Sequence, residues 1–103
     1  MSKLERTGEA KMSPIVLKIL NDIPAGRASI DTIISKVPSY TTLTEGDKQP
    51  SKTRDGEALW EQIVRNIRSH SDAAGNYIHQ GYIEEIEGGY KITSKGRTKA
   101  QSL

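Results

Sequence analysis

Apolar residues in the first third of the chain return every three to four positions. Ile15, Val16, Ile19, Leu20 and Ile23 fall on one helical face, with Ser13-Pro14 as the predicted start and Pro24 as the stop. A serine oxygen suits a helix cap, and proline suits the first helical position. A second stripe, Ile30, Ile33, Ile34 and Val37, has the i, i+3, i+4, i+7 spacing of a core-facing helix, with Ser29 as its cap and Pro38 as its end. Between the two, Ala25-Gly26-Arg27-Ala28 predicts a turn into a very short extended segment. The period vanishes over residues 38–54, a run of Thr, Ser, Lys, Gly and Pro that predicts a long polar loop. Loops of that length in a small domain are often functional. The period returns in a third and longest helix, predicted over 56–71 with Asp55 as cap. Its inward stripe is Leu59, Trp60, Ile63, Val64 and Ile67, with Trp60 expected to be buried.

The last quarter changes period. Residues 77–80 predict one more turn, ended by Gly81. Residues 82–87 and 90–93 read as strands on either side of Gly88-Gly89. Two glycines between strand-like runs signal a hairpin, because the favoured two-residue turns need positive φ. Tyr90 and Ile92 share a face, and a short basic helix opens near Thr93. This order predicts an α+β winged helix-turn-helix. It has three main helices, a C-terminal two-stranded β-hairpin wing and a short terminal helix. Residues 1–12 show no period and are expected to form a flexible tail before a winged-helix domain over 13–103.

Length and composition narrow the classes. A chain of 103 residues supports one core. Its hydrophobic fraction of 34% lies below the usual value of about 45–50%, as polar tails and a polar loop would make it. The absence of cysteine excludes disulfides and thiolate sites, and a cytoplasmic location is expected. No apolar run approaches the roughly 20 residues that span a bilayer, and residues 1–11 lack the apolar stretch of a secretory signal. The formal net charge of +2 is uninformative until the charges are located. Carboxylates cease after Glu87, whereas Lys91, Lys95, Arg97 and Lys99 follow. A second basic group, Lys48, Lys52, Arg54, Arg65 and Arg68, is interleaved with Asp55, Glu57 and Glu61.

The run RNIRSH over 65–70 is followed by Gly75-Asn76, by Gly81-Tyr82-Ile83 and by GGYKIT with Gly96-Arg97. This set, spanning roughly residues 13–100 of the chain, resembles the N-terminal winged-helix domains of Mrr-type restriction proteins and small free-standing relatives of them. The chain departs from that pattern by extra residues between Ser69 and Gly81. The resemblance implies DNA targeting without cleavage, since no nuclease domain accompanies it.

On this reading the third helix enters the major groove. Arg65, Asn66 and Arg68 would stand near bases or phosphates, with Gln62 and Ser69 on the same outer surface. Arginine pairs in bidentate fashion with guanine, and asparagine or glutamine with adenine. Glu57 and Glu61 oppose deep insertion, because carboxylates repel phosphates. Lys48, Lys52 and Arg54, on the loop before the helix, would grip the backbone, and Lys91, Lys95 and Arg97 would clamp phosphate on the wing side. Double-stranded DNA is therefore the expected partner, with a homodimer or a larger protein partner as further expectations. The acidic outgoing strand of the wing, with Glu84, Glu85 and Glu87, motivates the alternative of a protein–protein interaction module. No cofactor is expected. His70 and His79 lie apart without a metal-binding spacing. Ser69-His70-Ser71-Asp72 are helix neighbours that cannot converge on one atom. A non-catalytic protein follows.

Overall fold

The computed structural model describes residues 8–50 and 56–103, arranged as a mixed α+β fold of four helices and one small antiparallel sheet. Helix α1 (Glu9–Asp22) is its centre, and α2 (Ile30–Lys36), α3 (Leu59–Asn66) and α4 (Ser94–Gln101) all pack against it. Strand β1 (Arg27–Ser29) joins α1 to α2. Strands β2 (Ile83–Ile86) and β3 (Gly89–Ile92) form the hairpin before α4. The core gathers Met12, Val16, Leu17, Ile19 and Leu20 of α1 with Ile33, Val37, Val64, Ile67, Ile83 and Tyr90.

Both N-terminal stripes face this core, but α1 starts earlier than the sequence predicts. It begins at Glu9 rather than Ser13, so Pro14 lies inside it. A proline in a helix interior costs about 3 kcal/mol. Burial of a side chain such as Met12, which is fully enclosed, returns roughly 1.5–3 kcal/mol. The Glu9 carboxylate adds bonds to His70 and Asn76. Tertiary contacts thus offset the proline. Helix α2 matches its prediction: Ser29 accepts the Thr32 N–H at 3.1 Å, and a 3-10 turn over Val37–Ser39 holds Pro38.

The described part of the long loop is more than polar surface. Asp47 is fully buried, and it and Thr44 exchange bonds, each side chain accepting the other's N–H at 2.9 and 3.1 Å. The Asp47 carbonyl then receives the Trp60 N–H, and the Gln49 carbonyl that of Leu59. The loop is fastened to the start of α3. The expected cap Asp55, like Lys52 and Arg54, lies outside the described residues. The observed cap is Ala58, whose N–H donates to Glu61 Oε1 at 3.1 Å.

Helix α3 is half the predicted length. Trp60, Val64 and Ile67 are buried as expected, but a 3-10 turn, Arg68–His70, replaces further α-helix. Two distant side chains account for this. The Tyr90 hydroxyl donates to the carbonyls of Val64 (2.8 Å) and Arg65 (3.2 Å) and accepts the Arg68 N–H. Asn76 Nδ2 donates to the Ile67 carbonyl at 2.8 Å. These groups take the backbone partners that another helical turn would use.

The short extended segment becomes a third strand. The sheet order is β1-β3-β2, with Arg27 opposite Lys91 and Glu84 opposite Lys91. The hairpin turn falls at Glu87-Gly88, with Gly88 at φ 73°, not at Gly88-Gly89. Gly89 serves another purpose: a Cβ there would collide with the Ala28 carbonyl of β1. Gly81 ends the preceding turn at φ 84°, and Thr93 caps α4 by accepting the Gly96 N–H at 2.9 Å, both as predicted.

Candidate nucleic-acid interface

Helix α3 turns Trp60, Val64 and Ile67 to the core, which fixes what faces away. Gln62, Asn66 and Ser69 follow at i, i+4 and i+7, the last in the 3-10 turn. The first two are half-buried and Ser69 is exposed. All three carry uncharged hydrogen-bonding groups.

The two carboxylates near the start of α3 are both engaged within the protein. Glu61 folds back onto the Ala58 N–H. Glu57, whose side chain is 12% exposed, is paired with Arg65. Arg65 also reaches α2, with Nη2 3.2 Å from Asp31 Oδ1. The Glu57 hydrogen bond, outweighing the opposing cost of burial and aided by the Asp31 charge, pushes the guanidinium further above its ordinary pKa. Arg65 therefore braces α3 against α2 with both its carboxylate partners supplied by the protein itself.

The remaining candidates divide. Arg68 is half-buried, and its guanidinium has no ion-pair partner among the described residues. Lys48 is exposed in the turn before α3. Lys91 is exposed at the middle of a cross-strand row, flanked by Glu84 and Arg27. Arg97 ties α4 to α1, with Nη1 donating to Asn21 Oδ1 at 3.2 Å and to the Asn21 carbonyl at 3.4 Å. Lys95 stands over the Tyr82 ring. Thus Gln62, Asn66, Arg68 and Ser69 share one stretch of chain, while Lys95 and Arg97 belong to α4.

No family model, curated protein or solved structure matches the chain. Among the described residues, no group of three or more His, Asp or Glu side chains is placed to hold a metal ion, and no helix is long and apolar enough to cross a membrane.

Sequence reasoning missed three residues that shape this region. The sequence places Arg27 only in a turn, and the register that sets it beside Lys91 needs the third strand. Asn76 is almost fully buried. Its Oδ1 accepts the Ile78 and His79 N–H groups, while its Nδ2 donates to Ile67 and to Glu9. The Gly75-Asn76 pair was visible, but its role as a link between the end of α3 and the start of α1 was not. Glu9, assigned to the tail, holds His70 Nδ1 at 2.7 Å.

Proposed function

We propose that this chain is a winged-helix domain that binds double-stranded DNA and does not cut it. The observation that carries the reading is the outward stripe of Gln62, Asn66 and Ser69, cleared of the carboxylates that opposed groove entry. Glutamine and asparagine amides match the paired donor and acceptor of adenine in the major groove, and serine bonds any base. Arg68 and Lys48 supply phosphate contacts beside the helix, and Lys91 with Arg27 supplies them on the hairpin. Arg65 positions the reading helix instead of touching DNA. The likeness to Mrr-type domains points to the same targeting role.

A protein-docking module is the second reading, favoured by β2. This strand is an edge of the sheet and carries exposed Glu84 and Glu85, which repel a duplex.

Fluorescence polarisation with the tightest-binding duplex selected from a randomised pool separates the two. Asn66→Ala weakens duplex binding roughly 5- to 150-fold, the range of one lost bidentate base contact, and leaves the melting temperature unchanged. Equal affinity in wild type and Asn66→Ala would remove α3 as the reader.

A further inference from the structure

Helix α4 carries a stripe at Lys95, Thr98, Lys99 and Ser102, the spacing of a core-facing face without one apolar residue. These side chains line an open surface cleft of about 430 Å³ together with the Tyr82 ring. Lys95 Nζ lies 5.4 Å and Lys99 Nζ 5.8 Å from the ring centroid, and the Tyr77 and Tyr82 rings meet nearly at right angles with centroids 5.1 Å apart.

The cleft is rigidly built. The Tyr82 carbonyl accepts the Thr93 N–H at 3.0 Å and the Thr93 hydroxyl at 3.1 Å. Gly96 sits so close to that carbonyl that a Cβ would collide with it. Helix α4 is therefore locked beside Tyr82, which places both lysines next to the ring. Neither lysine has an ion-pair partner among the described residues, and no carboxylate lines the cleft. The hydroxyl protons of Thr98 and Ser102 are already donated to the carbonyls of Ser94 and Lys99. Their oxygens are left to accept.

We infer that this cleft binds a nucleotide unit, with its base against Tyr82 and its phosphate between Lys95 and Lys99. The hydroxyl acceptors suit the N–H groups of a base, and an aromatic ring beside two cations that no described carboxylate neutralises suits a planar group joined to an anion. An acidic peptide would use the lysines but neither the ring nor the acceptors. The unit can come from a free nucleotide or from a single strand. This site uses no residue of the α3 stripe, so it stands or falls apart from the duplex reading.

The test is amide-shift titration of the whole chain at low salt with thymidine 5′-monophosphate, an oligothymidylate, a blunt duplex and polyglutamate, with affinities taken from the same series. Movement of the Tyr82, Lys95 and Lys99 amides by the monophosphate supports a free-nucleotide site, and movement by the oligothymidylate alone supports a strand site. Tyr82→Leu, which keeps an apolar side chain, should weaken binding about 5- to 150-fold, as for one lost base stack. Lys95→Gln with Lys99→Gln, both on the surface, should lower the salt slope of oligothymidylate binding by about 0.7, as for one phosphate contact. Cleft amides that move only with duplex or only with polyglutamate, or with none of the probes, overturn the inference. So does a folded Lys95→Gln/Lys99→Gln protein that binds oligothymidylate with unchanged affinity.

Discussion

The Tyr90 hydroxyl lies inside the protein where α3 gives way to its 3-10 turn, bonded to two carbonyls and one N–H. Burial, the largest influence, pushes its pKa up to about 12 against partial relief from Arg68. A tyrosine whose folded pKa exceeds its unfolded one keeps its proton longer in the native state. Its contribution to stability is whole below pH 10 and is lost as pH rises from 10 to about 12. Urea unfolding across that window should show wild type losing about 1.4 kcal/mol per pH unit through this group. Tyr90→Phe should lack that component and start about 1–3 kcal/mol less stable at neutral pH, because the backbone groups lose their partner. Arg65 gives a second residue-scale prediction. Arg65→Ala leaves the Glu57 carboxylate in a largely buried place, and lowers stability by about 1–3 kcal/mol in chemical denaturation, between the surface and buried limits for a broken pair.

At the scale of elements, the helix interiors and both ends of α2 were legible, but the start of α1 and the end of α3 were not. The stripes of α1, α2 and α3 follow from burial, which imposes the helical period directly on the sequence. Those two ends depend on residues far along the chain. Helix α1 begins at Glu9 because of His70 and Asn76, and α3 stops at Asn66 because of Tyr90 and Asn76. No local propensity encodes those partners. The second glycine of the hairpin was legible as a glycine but for the wrong reason, since β1 requires it and the turn does not. Gly89→Ala should therefore part β1 from β3 and cost about 1–3 kcal/mol or more, the scale of overpacking, while Gly88→Asn, suited to positive φ, costs much less. Thermal unfolding of the two variants side by side makes the comparison.

Across the whole molecule, the charge pattern along the sequence does not reveal which basic side chains the fold engages. Arg65 and Arg97, two of the three arginines in the quoted motifs, are engaged within the protein by Glu57, Asp31 and Asn21. Ion pairing across elements cannot be read from spacing along one helix. What the fold leaves outward on α3 is an uncharged stripe, flanked by Arg68, Lys48 and, on the hairpin, Lys91 with Arg27. On the proposed reading, a protein with a net charge of only +2 draws its DNA affinity from a few phosphate contacts. The direct measurement is the affinity of the wild-type chain for a mixed-sequence duplex across a salt series. Four phosphate contacts predict binding that weakens with a log–log slope of about −3.6. No binding at low salt, or binding indifferent to salt, would contradict the account.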